Sequence, residues 1–104
     1  MSTIQDLTEE AKEFRDQRGW KKYHTPKDLA ISISLEASEL LELFQWKDDS
    51  LENVERDHLS EEMADIFIYL LFLSDVTDIN LEKAVRDKLE KNKKKYPSDE
   101  DHFD

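Results

Sequence analysis

Apolar residues recur every three to four positions along most of this chain, which is the period of an amphipathic helix. Strong helix formers dominate, and the sequence holds one glycine and two prolines, so the pattern predicts an all-α fold. Breaks in the pattern at Gly19, at a polar linker and at Asn80 divide the chain into four helices. We expect these helices over about residues 3–18, 26–44, 57–76 and 81–96.

The predicted helix starts carry capping residues. Ser2 and Gln5 have the spacing of a capping box for the first helix. Thr25 precedes Pro26, which suits the first turn of a helix, and Asp28 lies three residues after Thr25. These signals set the expected beginnings of the first two helices, and Asn80 is the expected N-cap of the fourth.

Two acidic pairs lie where apolar residues are expected. On a helical wheel, Glu36 falls in the middle of the apolar stripe of the second helix and Glu39 falls on its margin. Glu62 and Asp65 repeat this arrangement on the third helix. An uncompensated buried carboxylate costs several kcal/mol, and clustered carboxylates also repel each other. The pattern therefore predicts either a cation among the four carboxylates or their protonation.

The residue types indicate which cation this is. Hard divalent cations prefer oxygen ligands, and carboxylates on facing helices form such sites in bundles. Di-iron bundles add a histidine three residues after a glutamate, but Glu39 and Asp65 occupy those positions here. This set favours Mg²⁺, with Mn²⁺ as a substitute. The alternative is that the carboxylates form salt bridges with lysines or lie at helix ends open to water.

The third helix is apolar on its other side as well, where it carries Phe67, Ile68 and Leu71. A helix that is apolar all round must be covered on both faces. With four helices in the chain, this pattern favours a homo-oligomer in which a second subunit covers one face. The alternative is a central helix surrounded by its own chain.

Aromatic residues flank the second helix. Trp20, Tyr23 and His24 precede it, and Trp46 follows it. Such rings beside a metal site could hold a nucleobase by stacking. The alternative is that the tryptophans close the end of the bundle and that His24 is a surface or capping residue.

The fourth helix combines an apolar stripe with basic and amide side chains. The basic and amide residues suit phosphate binding, and lysines near a helix C-terminus also favour the helix dipole. The apolar positions, which we expect in the core, are Leu81, Val85 and Leu89, and the polar positions are Lys88 and Asn92 on the stripe with Lys95 at its edge.

Composition narrows the class of protein. The 104 residues include 26 acidic and 15 basic residues, for a formal net charge of −11, which argues against nucleic acid or an anionic membrane as partner. An anionic substrate would bind only together with metal cations. The absence of cysteine excludes thiolate chemistry, and the single glycine excludes glycine-rich phosphate loops.

No targeting segment is readable in the first residues, and the longest apolar run, residues 66–73, is too short to span a bilayer. We therefore expect a cytoplasmic protein. The length fits one domain over residues 1–97, followed by an acidic tail, residues 98–104, that we expect to be disordered.

The acidic pairs also carry a family resemblance. Glu36-Ala-Ser-Glu39 and Glu62-Met-Ala-Asp65 resemble the ExxE and ExxD signature of the MazG-like all-α nucleotide pyrophosphohydrolases. Flanking segments resemble the dCTP pyrophosphatase branch of that family, and together the resemblance covers about residues 10–97. These segments are Phe14-Arg15-Asp16-Gln17-Arg18-Gly19-Trp20, His24, Leu43-Phe44-Gln45-Trp46-Lys47, Lys91-Asn92 and Lys95-Tyr96-Pro97.

This resemblance implies an activity and an assembly. It implies a four-helix protomer in a helical-bundle homodimer or homotetramer. It further implies Mg²⁺-dependent hydrolysis of a nucleoside triphosphate, dCTP or a modified dCTP, to the monophosphate and pyrophosphate. Such hydrolysis would serve as house-cleaning of the nucleotide pool. The metal ligands would be Glu36, Glu39, Glu62 and Asp65, of which Glu39 and Glu36 would also be catalytic.

The resemblance also implies substrate contacts: Trp20, His24 and Trp46 around the base, Tyr69 by the sugar, and Lys91, Asn92 and Lys95 on the phosphates. Two other readings stay open. One is a non-catalytic helical interaction or regulatory module, antitoxin-like, whose acidic pairs form structural salt bridges. The other is an enzyme that releases diphosphate and phosphate.

Overall fold

A computed structural model describes residues 3–45 and 54–98 of the chain. These residues form four α-helices and, between the first two, a single 3-10 turn at Lys21–Tyr23, and the described ranges contain no strand. The predicted all-α fold is confirmed. No helix within these ranges is both long and apolar enough to cross a membrane. The helices are α1 (Ile4–Gln17), α2 (Pro26–Glu42), α3 (Arg56–Val76) and α4 (Leu81–Lys95).

Two of the helix starts are capped as the sequence indicates. The Thr25 hydroxyl accepts a hydrogen bond from the backbone N–H of Asp28 at 3.1 Å, at the start of α2. The Asn80 side chain accepts one from the N–H of Lys83 at 2.9 Å, at the start of α4.

The predicted cap of α1 is wrong by one residue. Thr3, not Ser2, is the N-cap, and it forms a reciprocal capping box with Asp6 rather than with Gln5. Thr3 offers the same hydroxyl as Ser2, and the charged Asp6 also interacts favourably with the N-terminal end of the helix dipole. At its other end α1 stops before Gly19, whose φ of 66° is left-handed.

The core lies between α2 and α3, with α1 packed across α3. Leu29 of α2 is buried, as are Leu71 and Phe72 of α3. The facing positions show that α2 and α3 are antiparallel: Ser32 and Tyr69 share one pocket, whereas Glu36, further along α2, meets Glu62 and Asp65, which lie earlier in α3.

Part of the second apolar face of α3 is covered by the chain itself. Leu71 is buried, but Phe67 is only half-buried and Ile68 is 38% exposed. Between α1 and α3 an almost wholly apolar groove of about 470 Å³ remains open. It is lined by Leu7, Glu10, Ala11, Phe14, Ala64, Phe67, Ile68 and Leu71.

The sequence predicts that the apolar stripe of α4 lies in the core. This prediction is wrong for the single chain. Leu81 is half-buried, but Val85 is 46% and Leu89 is 54% exposed. The helix packs mainly against α1. Periodicity correctly marks an apolar face on α4, but it does not specify what covers that face.

A buried arginine ties α1 to α3. The Arg15 side chain is fully buried, and its Nη1 donates to Oδ2 of Asp75 at 2.8 Å, while its Nε donates to Oδ1 of Asp16 at 2.9 Å. Lys12 lies 3.4 Å from the other oxygen of Asp75. Burial alone would raise the pKa of Asp75, but the hydrogen bond from Arg15 and the charge of Lys12 outweigh it and lower that pKa.

Replacing Asp75 tests the importance of this tie. We expect Asp75→Ala to lower the free energy of unfolding by about 3 kcal/mol, because it leaves the buried Arg15 charge without its partner on α3. Asp87→Ala is the control, since Asp87 forms only an exposed ion pair with Lys83 and its loss should cost less than about 1 kcal/mol. Urea unfolding followed by circular dichroism measures both. Equal losses in the two variants would contradict the assignment.

Candidate metal centre and adjoining pocket

Three carboxylates meet at the seam between α2 and α3. Glu36 comes from α2, and Glu62 and Asp65 come from adjacent turns of α3. One carboxylate oxygen from each lies within 4.8 Å of the other two. Helical spacing accounts for the convergence, because residues three apart share a face and the two apolar faces pack together. The sequence predicted these three positions.

The carboxylates at this seam lack partners for their buried oxygens. Glu62 is 8% exposed and Glu36 is partly buried, and Oε2 of each is a buried atom with no hydrogen-bond partner among the described residues. Asp65 is exposed. A buried, unpaired carboxylate oxygen is costly. A divalent cation fits this oxygen-only donor set and would satisfy both oxygens.

The fourth predicted ligand lies beside the other three. Burial raises the pKa of Glu36 to about 7, and hydrogen bonding and charge repulsion from Glu39 and Glu62 act in the same direction. Glu39 is therefore close to Glu36, although it is exposed and does not belong to the group of three oxygens. Its place beside the cluster suits an outer ligand or a water-contacting group.

Ion pairs do not neutralise the cluster. In the described ranges the one salt-bridge partner of these four carboxylates is His58, whose Nε2 lies 3.7 Å from Oε1 of Glu62. None of the described lysines or arginines forms a salt bridge with any of the four. The salt-bridge explanation that the sequence left open therefore lacks the cations it requires.

A pocket of about 320 Å³ adjoins the cluster along the same seam. It brings together Trp20, His24 and Tyr69, three residues that the family resemblance assigns to base and sugar binding. Ser32 lies one helical turn before Glu36, and Tyr69 lies one turn after Asp65, so pocket and cluster are about 6 Å apart along each helix. The full lining is Trp20, Tyr23, His24, Asp28, Leu29, Ser32 and Tyr69.

The rings of this pocket are held by their neighbours. The His24 ring centroid lies 4.7 Å from that of Phe72, which also makes an edge contact with Tyr69. Burial first, and then the charge of Arg15, lower the pKa of His24. His24 is therefore a neutral imidazole near pH 7, and its buried Nδ1 has no partner among the described residues.

The remaining predicted site residues lie elsewhere. Lys91, Asn92 and Lys95 occupy the last turns of α4, where both lysines are exposed and Asn92 is half-buried. Neither the acidic cluster nor the aromatic pocket, as the described residues form them, includes these side chains. Trp46 lies outside the described residues.

Sequence reasoning missed two polar members of the pocket and the buried Arg15, whose charge acts on His24. The capping pattern predicts only a capping role for Asp28, and no sequence pattern points to Ser32. Their spacing of four residues places them on one face of α2, which is the signal that could have found them. Arg15 gave no such signal, because its burial depends on the distant Asp75.

Comparison with known proteins identifies the family. A family model described as the MazG-like family matches residues 31–103, which include both acidic pairs. The chain belongs to the MazG-like family. The predicted resemblance is thereby confirmed, and the acidic seam of this MazG-like chain lies within the matched region.

Individual relatives agree with this assignment. The chain is 36% identical over 101 residues to dCTP pyrophosphatase 1 of Rattus norvegicus, covering 91% of this chain and 59% of that protein. It is 35% identical over 102 residues to dCTP pyrophosphatase 1 of Homo sapiens, covering 92% and 60%. The chain thus spans about three fifths of the length of these relatives.

A solved structure matches more completely. The crystal structure of a pyrophosphatase from Archaeoglobus fulgidus superposes with a TM-score of 0.85 at 51% sequence identity. The match covers 94% of this chain and 95% of that one. The four-helix MazG-like protomer expected from the sequence is confirmed.

The raised pKa of Glu36 predicts how stability depends on pH. Between its ordinary value of 4.5 and about 7, the folded protein holds a proton that the unfolded chain has released. Stability from this group is therefore complete below pH 4.5 and is lost as pH rises through 7. In EDTA, the melting temperature of the parent should fall between pH 5 and 8 relative to that of Glu36→Gln.

Circular dichroism melts of both proteins measure this difference, and the comparison cancels the opposite contribution of His24. Saturating Mg²⁺ should raise the melting temperature of the parent at pH 8 and have a smaller effect on Glu36→Gln. Identical pH profiles for the two proteins, or no response of the parent to Mg²⁺, would refute the assignment of this cluster.

Proposed function

We propose that this chain is a divalent-metal-dependent nucleoside triphosphate pyrophosphohydrolase that converts dCTP, or a modified dCTP, to the monophosphate and pyrophosphate. The observation that carries the proposal is the meeting of Glu36, Glu62 and Asp65, with unpaired buried oxygens, next to an aromatic pocket. The relatives named dCTP pyrophosphatase 1 and the archaeal pyrophosphatase support it.

The carboxylates supply the metal-binding part of this function. Glu36, Glu62 and Asp65 would hold Mg²⁺, for which Mn²⁺ could substitute, and Glu39 would complete the set. Bound there, the metal would neutralise triphosphate charge and polarise the phosphoryl oxygens. Glu39, exposed and adjacent to Glu36, would orient the attacking water and accept its proton, with Glu36 assisting.

The pocket supplies the nucleoside-binding part. Trp20 and His24 offer faces on which a base can stack, and Tyr69, one turn from Asp65, would lie by the sugar. A base in this pocket would direct its phosphates along the α2–α3 seam toward the carboxylates. Trp46 would complete the enclosure of the base.

In this proposal, the phosphate-binding residues of α4 are linked to the assembly of the protein into an oligomer. Lys91, Asn92 and Lys95 would bind phosphate, yet α4 lies against α1 in the single chain. Val85 and Leu89, about half exposed, and the apolar groove between α1 and α3 are surfaces that a second copy could cover. We therefore propose a homodimer or homotetramer acting in the cytoplasm, where a protein without cysteine is well suited.

Phosphorus NMR of dCTP with the protein and Mg²⁺ tests the reaction. We expect resonances of dCMP and pyrophosphate to replace those of dCTP, and no product when EDTA is present. Formation of dCDP and phosphate would show that the enzyme cleaves the bond between the β- and γ-phosphates instead. No turnover of any triphosphate with Mg²⁺ or Mn²⁺ would contradict the proposal.

The same assay tests the role of Glu39. Glu39→Gln should lower kcat by at least about a hundredfold, because it removes the base beside the metal site while preserving side-chain size. Glu61→Gln is the control: it removes an exposed carboxylate of α3 that lies outside the cluster, and its kcat should stay near that of the parent. If Glu39→Gln retained parental activity, the catalytic role of Glu39 would be excluded.

Stacking on Trp20 has its own test. Trp20→Ala should raise KM for dCTP by about tenfold, because one base–aromatic stack contributes about 1–3 kcal/mol. The change in kcat should be smaller, since Trp20 does not contact the reacting phosphates. Steady-state kinetics separate the two effects, and an unchanged KM would remove Trp20 from the binding site.

A further inference from the structure

The pocket beside the acidic cluster holds one carboxylate that metal binding does not use. Asp28 lies in the first turn of α2 and lines the pocket together with Trp20, His24 and Tyr69. Its backbone N–H donates to the Thr25 hydroxyl, and no described residue donates a hydrogen bond to its exposed carboxylate, which can therefore accept one from a ligand. It is the only acidic residue among the seven that line this pocket.

The other polar groups of the pocket differ from Asp28 in hydrogen-bonding character. The Ser32 hydroxyl, one turn further along α2, can donate or accept. His24 is neutral near pH 7, and its Nδ1 is buried without a partner in the described part of the chain. The pocket thus combines a carboxylate acceptor with a hydroxyl and an imidazole that can each donate or accept, beside rings on which a flat ligand can stack.

Pyrimidines differ at the edge that such an acceptor would contact. Cytosine presents an exocyclic amino group, a hydrogen-bond donor, whereas uracil and thymine present a carbonyl oxygen at the same position. Aspartate and glutamate are the side chains that accept from the cytosine amino group. A carboxylate facing the carbonyl of uracil would gain no hydrogen bond and would repel the oxygen.

We propose that Asp28 is a specificity-determining residue that selects cytosine over uracil and thymine by accepting a hydrogen bond from the exocyclic amino group of the base. This inference rests on the proposed function, because it takes the aromatic pocket as the base site. It goes further by naming the residue that distinguishes one pyrimidine from another. The ordinary role of an acidic residue in a first helical turn, favourable interaction with the helix dipole, predicts no such distinction.

The test compares kcat/KM for dCTP and dUTP in the parent and in Asp28→Asn. A hydrogen bond to a charged group accounts for about a tenfold preference or more, so the parent should prefer dCTP by at least about tenfold. Asparagine can rotate its amide to donate or to accept, and Asp28→Asn should reduce the preference to about threefold or less by losing dCTP activity and gaining dUTP activity.

Two further variants separate specificity from loss of structure. Asp28→Ser retains a small polar side chain suited to a helix start and should also lose the preference. Glu13→Gln removes an exposed carboxylate of α1 that does not line the pocket, and it should keep the parental ratio. A parental dCTP to dUTP ratio in Asp28→Asn, or a parent without preference, would overturn the inference while leaving the pyrophosphohydrolase proposal intact.

A binding measurement keeps the inference testable without turnover. Titration calorimetry with dCMP and dUMP compares the two bases directly. If the parent hydrolysed no triphosphate but bound dCMP at least about tenfold more tightly than dUMP, and Asp28→Asn abolished that difference, the inference would stand and the proposed reaction would fail. Equal affinities for dCMP and dUMP in the parent would overturn the inference.

Discussion

The burial of crowded carboxylates at the α2–α3 seam is the constraint on which the rest of the site depends. Glu36, Glu62 and Asp65 converge within 4.8 Å because they occupy the packed faces of two antiparallel helices. Burial first, and then hydrogen bonding and repulsion from Glu39 and Glu62, raise the pKa of Glu36 to about 7, so the charged form is disfavoured there without a cation. An apolar residue in place of Glu36 or Glu62 would pack at lower cost, so the arrangement makes physical sense as a binding site whose ligand repays the electrostatic penalty.

The pocket next to the cluster depends on a second charged contact. Arg15, fully buried, joins α1 to α3 through Asp75, and its charge helps to keep His24 neutral. The hydrogen bonds of Arg15 also position the end of α1, from which the backbone turns at Gly19 toward Trp20. Different interactions thus position the two parts of the site. Helix packing positions the carboxylates, and the ion pair of Arg15 with Asp75 positions the end of α1 that leads into the loop with Trp20 and His24.

The sequence predicted most of the fold and part of the site, for physical reasons that differ between residues. Helical periodicity gave four helices and placed Glu36 and Glu62 on packed faces, because both features are local. Thr25 and Asn80 were recognised as caps for the same reason, although Thr3 replaced Ser2. The burial of Arg15 depends on Asp75, sixty residues away, and the exposure of Val85 depends on the path of the whole chain. No local pattern carries that information.

The negative net charge of the chain determines what the acidic cluster and the aromatic pocket must each contribute to binding. A chain with a formal charge of −11 repels a free triphosphate, so affinity must come from groups insensitive to that repulsion. Stacking of the base on aromatic rings would supply one such contribution to affinity, and coordination of the polyphosphate by a bound metal would supply the other. Under the proposed function, a carboxylate such as Asp28 is compatible with the aromatic pocket, because it would contact an uncharged heterocycle and not the phosphates. On this proposal, the general excess of acid would disfavour binding of anions that lack a bound metal or a base that fits the pocket.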